Sequence, residues 1–414
     1  MGDEAGRRVS LALVSPGGRP LGALPPFEAD VPWENNVVAV VAGARAAYGI
    51  DVTVLRLLWV DSFEDGGPLG YLAEYDGPPL EGLGAPAGLD AEEPLRMPWA
   101  RPGGPDQTLR WAESVLARHR RPPVGAPVQQ RTWNLSAIWR IDTADGPTWL
   151  KQVPPFFRHE GAVLRWLERT APGLGPTVLG AAADRMVLEH VPGEDCYHAP
   201  LRLRQDMLAD LLRLQARAAA RVEELLAIGV PDRRGATLIR RIQATVARWR
   251  YTVPPVEAAV LAGLVGGLPE RLAALAACRV PDTLVHGDFH AGNVRSDGTR
   301  RTIIDWGDAV VGHPALDLAA FLERVEPPDH DVLRRQWADH WRAAVTDCEP
   351  ERAAALMAPV AALYLATVYD GFLRATEPSE HVYHATDPTR WLRRAATLAA
   401  DAPPLMGSSR HRSE

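Results

Sequence analysis

The stretch Thr283-Leu284-Val285-His286-Gly287-Asp288-Phe289-His290-Ala291-Gly292-Asn293-Val294 constrains this chain more than any other. A short apolar strand delivers an aspartate into a tight polar loop that contains glycine, and an asparagine follows five residues later. Thr302-Ile303-Ile304 then reads as a second strand ending in another acid, Asp305. An aspartate beside glycine can merely cap a turn. A second acid and an amide at fixed distances from it make a chemical role the stronger reading.

Phosphoryl transfer needs these parts. A carboxylate must orient or receive the proton of the attacking hydroxyl, and hard oxygen ligands must hold Mg²⁺ against the phosphates. The spacing from Asp288 to Asn293 matches the catalytic loop of protein kinases, and Asp305 sits where a second metal ligand follows in such sites.

Composition adds one independent signal. Of 45 basic residues other than histidine, Lys151 is the only lysine and the rest are arginine. Where a generic cation suffices, this chain uses arginine. The lone lysine therefore marks a place that needs a compact point charge on a thin stem, as a narrow phosphate site does. Lys151 closes the strand Thr148-Trp149-Leu150-Lys151 ahead of a helix. That is where a small-lobe lysine touches the α- and β-phosphates of a nucleotide. Glu160 on that helix is its expected partner, ahead of Glu168, because Val163, Leu164 and Leu167 put the inward face nearer Glu160.

The rest of the chain organises around these residues. Val9–Val14 reads as a strand, Pro32–Tyr48 as a helix stopped by Gly49, and Asp51–Val60 and Pro68–Tyr75 as strands joined across Glu64-Asp65-Gly66-Gly67. Residues 1–100 are thus a small β-α-β-β unit, and Gly77–Gly104 reads as a linker. Asp106 is expected to cap a helix over Gln107–Arg118. Ser136–Ile141 and Thr148–Val153 form a hairpin at Asp145-Gly146, Phe156–Thr170 a helix, and Thr177–Leu179 and Met186–His190 short strands. From Leu201 the pattern is helical, at 201–228, 236–251, 256–277, 314–325, 331–346, 351–375 and 389–400. The last dozen residues are polar and read as a frayed end.

His-Gly-Asp-Phe-His-Ala-Gly-Asn followed by Ile-Ile-Asp-Trp closely resembles the catalytic motif of the aminoglycoside phosphotransferase and choline kinase superfamily. The run Asp308–Phe321, with His313-Pro314 and Asp317-Leu318-Ala319, strengthens the likeness, which covers roughly residues 125–400. The resemblance implies an α+β, protein-kinase-like two-lobed fold with a helical C-lobe, here preceded by a small α/β N-terminal domain. It implies ATP or GTP as donor, Mg²⁺ as cofactor, Asp288 as catalytic base, and Asn293 and Asp305 as magnesium ligands. It also suggests that Asp317, besides capping its helix, braces the catalytic loop. His286 and His290 read as architectural. The expected parts are an accessory domain over 1–100, an N-lobe with its preceding helix over 101–190, and a C-lobe over 191–414.

The chain departs from the protein-kinase pattern in one place. The stretch Arg131–Ala137, where a glycine-rich loop would cover the phosphates, has no glycine; Ser136 and backbone N–H groups take that role in this reading. There is no GxxxxGK[ST] element. Met186–His190 resembles the hinge between lobes, so the backbone of Glu189 and His190 is expected to read the nucleotide base.

The resemblance points to the last hundred residues for the acceptor. Tyr369 and Asp370, and the acid- and ring-rich loop Glu377–His384 with Glu377 and Glu380, are expected to hold a polar, amine- or sugar-bearing natural product, with Asp370 as nearest anchor. The acceptor is expected to be antibiotic-like or sugar-like. A housekeeping kinase of choline, homoserine or an amino sugar is the alternative, and a silent nucleotide-binding protein a third reading. The net charge of −7 gives no sign of a nucleic-acid or membrane partner. The three cysteines are far apart and suit a reducing cytoplasm. No signal peptide is seen, and apolar runs break before spanning length, so a cytoplasmic protein is expected. Residues 9–76 vaguely resemble a Nudix layout but lack its clustered glutamates. They read as an accessory or dimerisation module or a cap on the small lobe, with a homodimer through this domain as one expectation.

Overall fold

Alternating burial along β1 (Arg7–Val14) sets up the first sheet: Val9, Leu11 and Leu13 face one core, while Ala12 and Val14 face another. The computed structural model describes residues 6–31, 33–62, 66–85 and 93–400. They group into two compact units. Unit 1 comprises Met1–Gly161, Thr177–His190 and Leu373–Tyr383; unit 2 comprises Ala162–Pro176, Val191–Phe372 and His384–Glu414.

In unit 1, β1 is followed by β2 (Pro20–Ala23), β3 (Phe27–Ala29), α1 (Val38–Tyr48), β4 (Thr53–Val60) and β5 (Leu69–Glu74). The sheet order is β2-β1-β5-β4, with β3 also on β1. β1 and β5 run parallel, and β4 pairs antiparallel with β5 as expected. Every residue of β5 is buried, which is why its sequence does not alternate cleanly. β2 and β3 were not expected; at four and three residues, and with Gly22 in β2, they carry too little pattern. α1 starts at Val38 and ends at Gly49, whose φ of 68° only glycine adopts at no steric cost. Residues 32, 64 and 65, named in the expected helix start and turn, lie outside the described residues.

α2 (Gly104–Arg118) begins before Asp106. Gly103 is its N-cap and Pro105 sits in the first turn. Asp106 therefore acts through the helix dipole and its pairing with Arg110, not as a cap. A second sheet follows, from β6 (Val128–Trp133), β7 (Ser136–Thr143), β8 (Gly146–Gln152), β9 (Val178–Ala181) and β10 (Arg185–Glu189), in the order β6-β7-β8-β10-β9. α2 buries Ala112, Val115 and Leu116 against Trp139, Ile141, Leu150, Leu179 and Val187 of this sheet. α3 (Glu160–Thr170) begins in unit 1 and continues in unit 2, after a 3₁₀ turn at Pro155–Phe157.

Unit 2 opens with β11 (Glu194–Asp195) and α4 (Leu201–Ala219). The continuous helix expected over 201–228 breaks at residues 220–221 before α5 (Val222–Ala227). α6 (Gly235–Trp249) follows. Residues 256–277 divide at Gly267 into α7 (Pro255–Gly266) and α8 (Leu268–Ala277). β12 (Thr283–Val285), β13 (Val294–Ser296), β14 (Arg301–Ile303) and β15 (Val310–Gly312) frame the central loops. β12 pairs with β15, and β11-β13-β14 form a small sheet. α9 (Ala315–Leu322), α10 (Pro327–Ala344), α11 (Pro350–Ala375) and α12 (Asp387–Ala400) complete the described chain, and the polar end beyond lies outside it. α11 is long and apolar enough to cross a membrane by length and composition, which the sequence reading did not anticipate. Most of that apolar stretch is buried within the protein, as in a core helix.

Candidate active site

The residues nominated from sequence divide between the two units. In unit 1, register pairs Lys151 of β8 with Met186 of β10 and Ile138 of β7, so the lysine sits on a central strand. Its Nζ lies 2.7 Å from Glu160 Oε1, and both side chains are largely buried. A buried ammonium persists when a carboxylate is this close. Gly146, at φ 110°, makes the tight turn that brings β8 back along β7.

Ser136 opens β7 after a two-residue turn at Asn134-Leu135. It is buried, and its Oγ accepts a hydrogen bond from Trp133 Nε1 at 3.0 Å. The turn is held from its own unit: Trp99 Nε1 donates to Trp133 O at 3.0 Å, and Tyr383 packs edge-on against Trp133. Packing thus holds this turn, which has no glycine, in place. At the end of β10, the Glu189 carboxylate accepts from Arg121 at 3.0 Å and its N–H donates to Thr177 O. His190 Nδ1 accepts from Trp149 Nε1 at 3.1 Å, with the rings stacked.

Glu377 and Glu380, expected to line the acceptor pocket, turn inward instead. Both are buried in unit 1. Arg96 holds the Glu377 carboxylate at 2.8 Å, with Arg56 at 3.8 Å. Burial, then the Glu377 charge, pushes the Glu380 carboxyl up to about 8 against the pull of Arg56 and Arg96. The Glu377 ion pairs fasten residues 373–383 into unit 1.

In unit 2, β12 delivers the chain into the loop at His286. Asp317, buried on the first turn of α9, accepts from the N–H groups of His286 (2.8 Å) and Gly287 (2.9 Å) and from Gln215 Nε2 (2.8 Å). Burial pushes its carboxyl up to about 7, against these three donors. Gly287 has φ 89°, and a Cβ there would lie 2.3 Å from Asp308 O, so no other residue fits. His286 Nε2 lies 3.0 Å from Ile304 O, while its Nδ1 accepts from Asp288 N–H. This pattern assigns the proton to Nε2. Burial lowers the His286 pKa, which keeps the ring neutral.

The Asp288 carboxylate is about half exposed, at 46 %. Asn293 Nδ2 donates to Asp288 O at 2.9 Å and Oδ2 at 3.2 Å, which fixes the side chain. His290 Nε2 lies 3.5 Å from Oδ2, and Arg324 lies 3.9 Å from Oδ1. Asp305 is exposed in the left-handed region at φ 64°, a conformation aspartate tolerates better than most residues. Ile304 N–H donates to Asn293 O, tying the two acid-bearing loops together. Asn293 spends its nitrogen on Asp288, so its Oδ1 is the atom suited to a hard cation. Among the described residues no three His, Cys, Asp or Glu side chains converge as a metal site. One amide and one carboxylate still fit Mg²⁺, which takes its remaining oxygens from phosphates and water.

Asp370 is buried on α11 and fully engaged. It accepts from Arg248 (2.8 Å), Trp249 Nε1 (2.9 Å) and Thr245 Oγ1 (3.0 Å). Tyr369 packs on Phe372 and His384 and lies within the fields of Asp387, Asp288 and Asp308, which, after burial, raise its pKa.

Residues 128–356, more than half of the chain, match the phosphotransferase enzyme family. This chain belongs to that family. Its α+β architecture is the protein-kinase-like fold that it shares with solved phosphotransferases. A candidate aminoglycoside phosphotransferase from Ralstonia eutropha superimposes with a TM-score of 0.50 at 14% identity, over 72% of this chain and 99% of its own. A macrolide 2'-phosphotransferase from Brachybacterium faecium gives 0.48 at 18% identity, over 67% and 97%. A choline kinase from Cryptosporidium parvum gives 0.48 at 11% identity, over 67% and 90%. No curated protein matches the sequence. The phosphotransferase match leaves residues 1–127 outside it.

Sequence reasoning missed Gln215 and Arg324. Arg324 lies in the turn just past the end of α9, where no helical spacing marks it. Among so many arginines it does not stand out.

Proposed function

We propose that this phosphotransferase moves the γ-phosphoryl group of ATP or GTP onto a hydroxyl of a small natural product, antibiotic-like or sugar-like, with Asp288 as general base. The observation that carries this is the Asp288–Asn293 pair. One carboxylate stays accessible while Asn293 and the Asp317-braced backbone fix its position. Asp288 orients the attacking hydroxyl and takes its proton as the bond to phosphorus forms. His290 and Arg324 stand beside it, 3.5 and 3.9 Å from its carboxylate oxygens. Bound Mg²⁺ would neutralise phosphate charge, with Asn293 and Asp305 as its protein ligands.

Lys151, held by Glu160, supports the α- and β-phosphates. Ser136 and the backbone of its hairpin cover them, and the backbone of Glu189 and His190 receives the base. In this reading the acceptor lies along residues 364–372 of α11, with Tyr369 and Asp370 beside it. Residues 1–100 serve as an accessory module, and the enzyme works in the cytoplasm. The test is nucleotide consumption against a panel of hydroxyl compounds that includes antibiotics, sugars, choline and homoserine. Turnover with one compound, lost in Asp288→Asn, supports the reading; no turnover with any compound sinks it.

A further inference from the structure

β4 closes one side of the first sheet and β6 one side of the second, and an open strand edge leaves backbone groups unpaired. Each strand also carries an irregularity: the β4–β5 register skips Leu55, and the β6–β7 register skips Gln130. The two edges answer each other. Gln129 of β6 is buried, and its carboxamide takes the place of a strand partner for Val54. Val54 N–H donates to Gln129 Oε1 at 2.9 Å, and Gln129 Nε2 donates to Val54 O at 2.7 Å. Thr132, also buried, donates from Oγ1 to Leu55 O at 3.3 Å. Residues 35–37 pair with β6 as a further strand would: Thr132 N–H donates to Asn35 O at 3.0 Å, and Val37 N–H to Gln130 O at 3.2 Å. Glu34 ties that segment to the first sheet. Tyr71 Oη donates to its carbonyl at 2.8 Å, and Arg7 pairs with its carboxylate.

This seam runs straight into the turn before β7. Thr132 is followed by Trp133, whose carbonyl accepts from Trp99 Nε1 and whose own Nε1 donates to Ser136 Oγ, both at 3.0 Å. Trp99 sits in a 3₁₀ turn at Pro98–Ala100, outside both sheets. Asn134 is wholly buried, and its Nδ2 donates to Glu380 O at 3.4 Å. A turn without glycine has little conformational freedom of its own, so its place is set by what holds its ends. We propose that the N-terminal part of the chain, through residues 34–37, 54–55 and 99, positions this turn over the donor phosphates, with Gln129 and Trp99 as positioning residues for the nucleotide. The N-terminal domain is then a working part of the donor site. The held turn offers Ser136 and its backbone N–H groups in one geometry, so ordering that a bound phosphate chain would otherwise have to impose is complete beforehand. This inference rests on the reading of Ser136 and its hairpin as the phosphate cover.

The test titrates the full-length protein, in Mg²⁺ buffer, with non-hydrolysable analogues of ATP and GTP, and then with the nucleoside of whichever binds. Gln129→Met keeps the length of the side chain and removes both bonds to Val54. Trp99→Phe keeps a ring and removes the bond to Trp133. Leu11→Ala, in the core of β1 two strands in from the β4 edge, destabilises the same domain without touching the seam. Both seam variants should bind the triphosphate analogue about tenfold more weakly and the nucleoside within about twofold of wild type, because the turn meets the phosphates and not the base. Leu11→Ala should bind both ligands as wild type does. Thr132→Val, a milder break in the same seam, carries the test if Gln129→Met does not fold. Unchanged analogue affinity in the seam variants overturns the proposal. So does an equal loss for analogue and nucleoside, which would mark the seam as structural only, and so does a Leu11→Ala as weak as the seam variants. Failure of the kinase reading shows separately, as a wild type that binds no nucleotide, and it removes the positioning role as well.

Discussion

Replacing Asp317 by asparagine keeps the volume of the side chain and removes one of its two acceptor oxygens. Three donors converge on that carboxylate: His286 N–H, Gly287 N–H and Gln215 Nε2. An amide can answer at most two of them. Its own NH₂ then faces a third N–H in a site that excludes water. A buried donor left without a partner costs about 1–3 kcal/mol, and losing the charge-assisted character of the remaining bonds adds to it. Asp317→Asn should therefore lower stability by about 2–4 kcal/mol. The two backbone donors immediately precede Asp288, so the loop should also shift. A displacement of about 1 Å at a reacting group can cost on the order of 10²-fold in rate. Urea unfolding measures the first effect. Steady-state kinetics with the best acceptor from the panel measures the second, and the expected result is a large fall in kcat with little change in nucleotide KM. A mutant that loses stability but keeps wild-type kcat would show that Asp317 serves α9 alone. A mutant as stable as wild type would show that the three bonds contribute nothing, and would refute the bracing argument.

Asp288→Asn should fold and bind nucleotide normally but lose on the order of 10²–10⁴-fold in transfer, as for removal of a general base; near-normal transfer removes Asp288 from that role. Lys151→Arg should weaken nucleotide use although charge is kept, because a planar guanidinium does not fit a buried site built for an ammonium 2.7 Å from Glu160. Kinetics equal to wild type would end the argument from the solitary lysine. His313 is buried, and its Nδ1 accepts from Ala315 N–H at the start of α9. Burial pulls its pKa down to about 3 from 6.5. Above pH 6.5 the ring is neutral folded or unfolded, and its contribution is complete. As pH falls from 6.5 towards 3 only the unfolded chain takes the proton, so stability is lost through that window. His313→Asn, which keeps an acceptor, should flatten this part of the stability profile in pH-dependent unfolding, and an unchanged slope would assign the acid lability to other groups.

The Asp288–Asn293 contact was legible in the sequence because it depends on a short spacing. Asp288 and Asn293 are five residues apart on one loop, and Asp305 follows the adjoining strand, so local geometry alone brings Asn293 onto Asp288. Lys151 with Glu160 was legible for a similar reason: a strand followed at once by a helix, and composition that made the lysine conspicuous. The short elements were not legible. β2 and β3 are too short to show a period, and Gly267 divides a helix whose apolar pattern runs through the break.

Partnership over long separations was decided only by tertiary structure. Glu377–His384 read from sequence as an acid- and ring-rich loop that holds the acceptor. Folding buries Glu377 between Arg96 and Arg56, partners 281 and 321 residues away in the chain. Asp370 looked like an anchor for a ligand amine until α6 brought Arg248, Trp249 and Thr245 onto it. A carboxylate's type and position are written in the sequence. Whether its lone pairs are left for a ligand depends on which cations the packed helices deliver, because desolvation makes an unpaired buried charge costly and so commits each one to its nearest partner.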